Sequence, residues 1–451
     1  MKSQGFRNTR RVVRRPARPG VLTPSNLAKL TRALEPQTGI ALPIRIQGAG
    51  SASTDCNQSP KGTVIRTLGL DKVIRIDTYN HTVTAEAGVR LGALVTALAE
   101  HGLELIGNHD QMERTLGGAL ASPCMGPGIG NGSAYLSSQL ISVKVVTVGG
   151  KVMNLSEQSQ HLLHAIRLSY GMLGMICEAT LRVRPISTFS ASHRSLCIDR
   201  FADVADRLSN RDVGLKFYVL PHRNRVYVDL RRYETNPGST YVTPWKIKDW
   251  GESTVLPQVF RSLNRVMPIP SVRYKLIDGI SAATHGLVNT SLVNHGNNAS
   301  AMGRRRRRKP RKLLYSTWCF PATDFSIVIK AYVEFCQQTL RKNGYRCDMP
   351  AVGFRVSQDS SALLSPSFEE PVFALQTTST QQRGWDDFVI DLALFAESWG
   401  GTPLFSQSRA FRAEHAAQTY ATRLEFFRRI RRQLDPENRL LNPFLAQSFM
   451  S

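Results

Sequence analysis

Apolar and polar residues alternate differently in the two halves of this chain, and the change comes near residue 185. Before it, short apolar or alternating runs predict β strands, and one run with apolar residues three and four apart predicts a helix at residues 91–101. A glycine pair at residues 149–150 predicts the turn of a hairpin. The predicted strands of this half are residues 63–68, 72–76, 82–85 and 178–184.

After residue 185 the pattern predicts strands joined to long helices. Residues 215–220 and 225–232 alternate across a Pro-His-Arg-Asn turn, which is typical of a β hairpin. Further strands are predicted at 313–320, 351–357 and 372–378, and helices at 201–208, 324–342, 385–399 and 414–434. Strands followed by long helices favour an antiparallel sheet that is covered on one face.

One loop in the first half carries candidate chemistry. The apolar run 43–47 breaks into Gly-Ala-Gly-Ser-Ala-Ser-Thr-Asp at residues 48–55. Gly48 and Gly50 can adopt positive φ, so consecutive backbone N–H groups can converge on one ligand. Such a nest suits a diphosphate. A glycine-rich turn after a strand is also common without any ligand, so the loop alone leaves both interpretations open.

The motifs that follow the loop decide between them. VTAEAGVRL, TLGGALAS, YGMLGMICEATLRVRP and LDPENRLLNPFL occur in this order between residues 83 and 445. With the loop, they resemble the FAD-linked oxidases of the vanillyl-alcohol oxidase/p-cresol methylhydroxylase superfamily, and within it the sugar-1,4-lactone oxidases that act on gulonolactone and arabinonolactone. The resemblance implies an α+β fold: a two-subdomain FAD-binding domain and a cap domain whose antiparallel sheet is covered by helices.

The resemblance also implies boundaries and cofactor contacts. We expect the FAD-binding domain at residues 6–187, the substrate or cap domain at 188–430 with a basic loop at 294–312, and a C-terminal segment at 431–451 that returns to the FAD-binding domain. Small residues in the loop and in the later motifs would lie along the cofactor, with Asp55 bracing the loop. The FAD candidates are Gln47, Gly48, Ala49, Gly50, Ser51, Ala52, Asp55, Asn108, Thr115, Gly117, Gly118, Ala121, Ser122, Cys124, Gly174, Ile176 and Asn442.

This chain departs from the family pattern where the family has reactive side chains. Ser51 stands where many members have a histidine bonded to the flavin, and Met125 replaces a second histidine. Serine cannot form a histidyl–flavin bond, so the sequence predicts non-covalent FAD. On the cap, Gly353 replaces the glutamate of a Glu-x-Arg pair, and Gln407 replaces a lysine. These changes predict a substrate other than a plain sugar lactone.

The catalytic candidates are the polar residues that remain at those positions. Arg355 keeps the family arginine and could hold a substrate oxygen, although an outward-facing strand arginine explains it equally well. Gln407 and Arg409 are the other candidates. The predicted function is an FAD-dependent oxidoreductase that takes a hydride from a C–OH or similar C–H group of a specialised biosynthetic small molecule. A redox-neutral, epimerase-type or carrier-linked flavoenzyme, and a binding protein for an acidic partner, are the alternatives.

Charge and cysteine content change the predicted function and its alternatives only slightly. The net charge is +24, and its densest part is the run Arg304 to Lys312, with five arginines at Arg304–Arg308. A solvated loop is the simplest interpretation, and an acidic protein or anionic ligand the second. Because the run has no interleaved aromatic residues, nucleic acid is not favoured. Seven dispersed cysteines predict reduced thiols and no metal site. We expect a cytoplasmic protein without a transmembrane segment.

Overall fold

The computed structural model describes most of the chain from residue 20 onward. The described residues are 20–35, 38–107, 111–128, 134–209, 211, 213–233, 251, 255–286, 291–295 and 313–450, apart from the side chains of 188, 189, 233 and 291–295. Candidate Asn108 and the basic run Arg304–Lys312 lie outside the described residues. No metal-binding group of three or more His, Cys, Asp or Glu side chains occurs within the described ranges.

The elements alternate between short strands and helices up to the middle of the chain. The strands are β1 (Gly20–Leu22), β2 (Ile44–Gln47), β3 (Thr63–Arg66), β4 (Val73–Asp77), β5 (Thr82–Glu86), β6 (Leu103–Leu105), β7 (Leu140–Val146), β8 (Val152–Leu155), β9 (Met175–Pro185), β10 (Thr188–Leu196), β11 (Gly214–Leu220), β12 (Arg225–Tyr233), β13 (Ser291–His295), β14 (Leu314–Pro321), β15 (Ala351–Val356), β16 (Val372–Ser379) and β17 (Thr402–Pro403). The helices are α1 (Leu27–Leu34), α2 (Leu91–Ala99), α3 (Leu116–Ala121), α4 (Gln160–Ile166), α5 (Ile198–Leu208), α6 (Leu256–Val266), α7 (Pro270–Gly286), α8 (Phe325–Asn343), α9 (Trp385–Ser398), α10 (His415–Leu434) and α11 (Pro443–Phe449). Within these, no helix is long and apolar enough to cross a membrane.

Two sheets build the N-terminal part. A small parallel sheet has the strand order β1-β3-β2, and an antiparallel sheet has the order β4-β5-β9-β7-β8 with β6 also paired to β9. Helices α2, α3 and α4 pack their apolar sides on the second sheet in one core. The glycine loop begins directly at the end of β2, so the parallel sheet sets the point from which the loop leaves.

The described strands of the cap form one antiparallel sheet in the order β13-β10-β12-β11-β15-β16-β14-β17. Alternate residues of a strand point to opposite faces of a sheet. In β11, Leu215, Phe217 and Val219 therefore pack against α5 and α8 in the cap core, while Lys216 and Tyr218 face the other way. Helices α5, α8 and α9 cover one face, as the sequence predicted. On the second face, His285 of α7 packs on Tyr218 and Tyr227, and the strands toward β14 are left available for a site.

The chain returns to the N-terminal part through α10 and α11. Tyr420 and Phe427 of α10 and Phe449 of α11 belong to the same core as the strands and helices that follow the glycine loop. The ring of Phe405 lies 4.6 Å from that of Phe449, so the segment before α10 is part of this return. The return thus begins before residue 431, the position that the sequence analysis gave for it.

Most predicted elements coincide with observed ones to within a few residues. The pattern did not reveal the strands β1, β6, β10, β13 and β17 or the helices α1, α3, α4, α6, α7 and α11. Strand β10 is rich in serine and other small polar residues, so its apolar alternation is weak, and it is recognisable only from its pairing with β12. Residues 294 and 295, which were placed at the start of the basic loop, belong to β13.

Candidate active site

A cavity of about 630 Å³ lies between the glycine loop and the free face of the cap sheet. One wall comes from the glycine loop, the start of α3 and the turn before β9. The opposite wall comes from β11, β12, β14, β15 and β16 of the cap, with one side of α7. Cavities of this size are in the usual range for cofactor and ligand sites. Every strand of the cap sheet except those at its edges and β10 contributes to the cavity.

The glycine loop is fixed to the cap and to the C-terminal return by hydrogen bonds to its backbone. The N–H of Ser53 donates to the carbonyl of Ser406 at 3.0 Å, and Nε of Arg409 donates to the carbonyl of Ser53 at 2.6 Å. The Tyr315 hydroxyl donates to the carbonyl of Ser51 at 2.7 Å. Burial raises the pKa of Tyr315, so the phenol remains a donor at neutral pH. The loop is therefore held by side chains from two distant parts of the sequence.

The backbone of the loop has the form of an anion cradle. Within the described ranges, no hydrogen bond uses the N–H groups of residues 49–52, which leaves these donors for a ligand. A Cβ on Gly48 would come 2.0 Å from Oγ1 of Thr115, so only glycine lets the loop lie against the start of α3. Gly50 has a φ of 71°. Convergent N–H groups at a cavity wall fit the diphosphate of a dinucleotide such as FAD.

A buried arginine beneath the cradle joins its parts. Arg45 of β2 is 1% exposed and donates to the carbonyls of Cys56, Tyr170, Gly171 and Leu440. Burial lowers its pKa to about 10, which still leaves it charged at neutral pH. The guanidinium thus links the segment after the glycine loop, the turn before β9 and the C-terminal return.

The polar side chains on the cap wall of the cavity change from neutral to charged along its length. Near the glycine loop it carries neutral polar groups on β14 and β16. Oε1 of Gln407 accepts from Oγ1 of Thr317 at 2.6 Å and lies 3.5 Å from Nε2 of Gln376. Further along the sheet, on β11 and β12, the lining contains the charged residues Lys216, Asp229 and Arg231.

The structure brings most of the predicted cofactor residues together at the cavity. Those that line it are Gly48, Ala49, Gly50, Ser51, Ala52, Thr115, Gly117, Gly118, Ala121, Ser122, Gly174 and Ile176, and of the catalytic candidates only Gln407 does so. These residues come from four separate segments, which the order of motifs alone could not place at one surface.

The remaining described cofactor candidates have other contacts and do not line the cavity. Gln47 accepts from Nε of Arg66, and Cys124 is fully buried in the core of the N-terminal part. Oδ1 of Asn442 accepts from the N–H of Leu445 and so caps α11, and Nδ2 of Asn442 donates to the carbonyl of Asp55. Asp55 itself is exposed. The structure gives Gln47, Asn442 and Cys124 contacts within the protein, and their predicted contacts with FAD stay predictions.

Arg355 lies on the opposite face of the cap sheet from the cavity. Its neighbours Val352 and Phe354 in β15 line the cavity, so Gly353 and Arg355 point toward the covering helices. Nε of Arg355 donates to the carbonyl of Ser209 at 2.6 Å. Its predicted contact with a substrate has no support in this geometry. Arg409 likewise lies outside the lining and positions the glycine loop instead.

Several residues at the cavity were not singled out from the sequence. Arg114 is 6% exposed, lines the cavity and donates to the carbonyls of Pro123 and Gly118. On the cap, Lys216 and Asp229 stand on the polar face of the β11–β12 hairpin. The alternation of apolar and polar residues in the hairpin predicted its two strands. It did not show that the polar face of the hairpin lines a cavity.

Comparison with known proteins agrees with this arrangement. Residues 179–448 match the sequence model of the family described as D-arabinono-1,4-lactone oxidase. This chain belongs to that family. Residues 19–156 match the FAD binding domain, which identifies the cofactor as FAD and confirms the predicted superfamily. The fit of the cradle to a diphosphate is the structural counterpart of this match.

Curated relatives are similar over part of their length. The L-gulono-1,4-lactone dehydrogenase of Mycobacterium tuberculosis is 28% identical over 49% of this chain and 50% of its own. The mitochondrial L-galactono-1,4-lactone dehydrogenase 1 of Oryza sativa is 28% identical over 53% of this chain and 40% of its own. The L-gulonolactone oxidase of Bos taurus is 26% identical over 44% of each. The chain thus matches at most about half the length of these relatives.

Solved structures show the same fold over nearly the whole chain. A cholesterol oxidase from B. sterolicum superposes with a TM-score of 0.72 at 12% identity and covers 95% of this chain and 94% of its own. A chitooligosaccharide oxidase superposes with a TM-score of 0.69 at 15% identity, covering 96% and 92%. The predicted α+β fold, with an FAD-binding part and a helix-covered cap sheet, is confirmed.

Proposed function

We propose that this protein is an FAD-dependent oxidoreductase that oxidises a C–OH group of a small molecule, a hydroxylated sugar derivative in the wider class of the lactones named in its relatives. The observation that carries the proposal is the continuity of one cavity from the glycine cradle to the polar face of the cap sheet. A cofactor held at the cradle and a substrate held under the cap would share that space.

The two walls of the cavity would have different roles, one in binding the cofactor and the other in binding the substrate. The free N–H groups of residues 49–52 would bind the diphosphate of FAD, and Gly48, Gly117 and Gly118 keep the wall thin enough for close approach. When bound, FAD supplies the acceptor for the hydride. On the cap, Gln407 and Gln376 offer amide groups to substrate oxygens. Tyr218, Lys216 and Asp229 are groups that can hold or relay a hydroxyl proton.

Anaerobic reduction of the flavin tests the activity. The purified holoprotein is mixed without oxygen with sugar lactones, polyols, aldonates and sugar phosphates, and bleaching of the flavin absorbance is recorded. We expect one class to bleach the flavin and Gln407→Ala to slow bleaching at least tenfold with FAD content unchanged. Arg355→Met is the comparison variant, because its side chain lies on the other face. A flavin that no compound reduces would contradict the proposal.

We further propose that FAD is bound without a covalent link. The support is Ser51, whose hydroxyl stands where the family histidine forms its bond, and Met125, which lines the same cavity and has no nucleophilic group suited to such a bond. Acid precipitation is expected to release all yellow colour into the supernatant. Colour that remains with the pellet would show a link through another residue.

Three finer predictions stay as they were made from the sequence. These are the specialised biosynthetic role, the cytoplasmic location and an acidic partner at Arg304–Lys312, a run that lies outside the described residues. Deleting residues 304–312 and measuring flavin reduction beside partner capture would separate any binding role of the run from the catalytic one.

A further inference from the structure

We propose that the connection between α6 and α7, together with the outer face of α7, docks on an anionic lipid bilayer. This surface is the α6–α7 patch. Its apolar members are Val266, Ile269, Val272 and Leu276, and its basic members are Arg265, Arg273 and Lys275. The docking is peripheral: the apolar side chains enter the headgroup region, and the basic ones meet lipid phosphates. The inference goes beyond the proposed oxidation of a small molecule and does not rest on it.

The apolar members of the patch are exposed to solvent. Val266 is 80% exposed, Ile269 58%, Val272 48% and Leu276 40%. Val266 ends α6, Ile269 directly precedes α7, and two exposed prolines lie in the same short connection. Single exposed apolar residues are ordinary, whereas a contiguous group of them marks an interaction site. The patch is such a group, since all four members lie within residues 266–276.

The outer face of α7 is apolar although it points away from the protein. Tyr274 and Ile277 are buried against α6 and define the inner face of the helix. Val272 and Leu276 are four residues apart and share one face. Each is two residues from Tyr274, a rotation of about 200°, so this face is opposite to the buried one. Because surface helices normally turn an apolar face toward a partner, the outer face of α7 is matched to a partner outside the described part of the chain.

Basic side chains flank this apolar face. Arg273 follows Val272 and Lys275 precedes Leu276, and a rotation of about 100° per residue places the two cations on opposite sides of α7. Nη1 of Arg273 donates to the carbonyl of Met267 at 3.0 Å, which holds the guanidinium beside the connection. Among the described residues, none of the three basic members forms an ion pair, and the one carboxylate in residues 255–286 is bound by an arginine outside them. Apolar side chains flanked by lysine and arginine are typical of segments that lie in an anionic membrane surface.

A second exposed apolar pair, on α9, lacks this charge pattern. Ile390 is 55% exposed and Leu394 is 50% exposed. Asp387 lies three residues before Ile390 and Asp391 three residues before Leu394, so each has a carboxylate as a neighbour on the helix surface. Carboxylates repel anionic headgroups. The α9 pair is therefore a matched control, with similar exposure and the opposite charge nearby.

Charge also argues against a second copy of this chain on the patch. In a symmetric dimer the same surface meets itself. The basic members of two patches would then lie close together, and each chain as a whole carries a net charge of +24. Like charges at an interface oppose association, whereas an anionic bilayer attracts the same side chains.

Vesicle binding of the FAD-loaded protein tests the inference. The protein is sedimented with vesicles of phosphatidylcholine alone or of phosphatidylcholine mixed with phosphatidylglycerol. We expect at least tenfold stronger partition onto the mixed vesicles at low ionic strength, and weaker partition when salt is added. No partition onto the mixed vesicles, or equal partition onto both kinds, would refute the docking surface.

Paired substitutions separate the patch from the rest of this basic protein. Ile269→Ser with Val272→Ser is expected to lower partition onto the mixed vesicles at least tenfold, because it removes the apolar side chains that enter the headgroups. Ile390→Ser with Leu394→Ser on α9 is the control and should leave partition unchanged. Neither pair alters the net charge, so attraction through other basic residues is the same in both. Lys275→Glu is expected to weaken partition at least threefold, and Lys275→Arg to retain it.

A tryptophan at the patch provides a second measurement. Brominated lipids in the mixed vesicles are expected to quench the added fluorescence of Val266→Trp and to leave that of Ile390→Trp unquenched. Equal losses for the two serine pairs, or equal quenching of the two tryptophans, would assign vesicle binding to general charge attraction and overturn the proposal. A dimer that dissociates in the patch variants, without vesicle binding, would overturn it in favour of a second copy. Flavin reduction in solution tests the proposed function separately, since no member of the patch lines the cavity.

Discussion

Gly353 replaces a family glutamate, and its surroundings predict what restoring a side chain there would do. It pairs directly with Phe217 across β11 and β15, and a Cβ at Gly353 would come 2.0 Å from Cζ of that ring. Phe217 is fully buried, and its ring centroid lies 4.8 Å from that of Phe201 and 5.7 Å from that of Phe325. The ring therefore occupies the space that any larger residue at 353 would need.

The magnitudes follow from this contact. Gly353→Ala forces the ring or the strand to move, and such overpacking typically costs about 1–3 kcal/mol of unfolding free energy. Phe217→Ala removes a buried ring and is expected to cost about 3–5 kcal/mol. In the double variant the new methyl group enters the space that the ring vacated. We expect a favourable coupling of about 1–3 kcal/mol, which cancels most of the Gly353→Ala penalty.

A double-mutant cycle measures this coupling. The unfolding free energies of the four proteins come from urea titrations with a common m-value, which is checked for each variant. Gly149→Ala is the matched control, because its Cβ would meet nothing within 4 Å. Additivity of the two changes to within about 0.5 kcal/mol would refute the steric argument. Gly353→Glu is expected to be worse than Gly353→Ala, since it also buries a carboxylate among aromatic rings.

Three further predictions concern the cradle, the arginine beneath it and a histidine in the β11–β12 turn of the cap. Gly48→Ala should weaken FAD binding to the apoprotein at least tenfold in a fluorescence titration, because its Cβ meets Thr115 Oγ1 at 2.0 Å; an unchanged dissociation constant would contradict the close approach. Arg45→Met should lower the unfolding free energy by about 3–5 kcal/mol, since several buried carbonyls lose a charged donor; a loss below about 1 kcal/mol would contradict this role. Burial next to Arg346 lowers the pKa of His222 from 6.5 to about 4. Its contribution to stability should be complete above pH 6.5 and fall as the pH drops toward 4, since the unfolded state then binds the extra proton; His222→Gln should flatten that part of the urea-stability profile, and an unchanged slope would contradict the assignment.

The order of motifs was enough to predict the family, the cofactor and the sheet covered by helices. These features depend on short local patterns: glycines after an apolar strand, alternation in hairpins and helical spacing. Residues 48–52 were recognised as cofactor candidates from glycines after an apolar strand, and residues 115–122 from the resemblance of their motif to the family. The elements that were missed, such as β10, have weak patterns and are stabilised by their neighbours.

The face on which a side chain lies was the main point that local pattern could not supply. Arg355 and Lys216 are both basic residues on cap strands, yet one donates to Ser209 on the helix side and the other lines the cavity. Asn442 and Arg409 were near the site in sequence motifs, but each makes contacts that support the loop. Such distinctions depend on the strand register and on which helices cover the sheet, and both are set by packing between distant segments.

The sequence by itself determined the local geometry of this protein: where the glycine loop bends, where strands alternate and which residues can approach a diphosphate. Those properties follow from backbone freedom and side-chain spacing over a few residues. Only the tertiary structure decided that these distant segments meet at one cavity and that Lys216 and Arg231, instead of Arg355, line its cap wall. The reason is that a one-residue shift in register moves every side chain of a strand to the other face. The register is fixed by the packing of the whole cap.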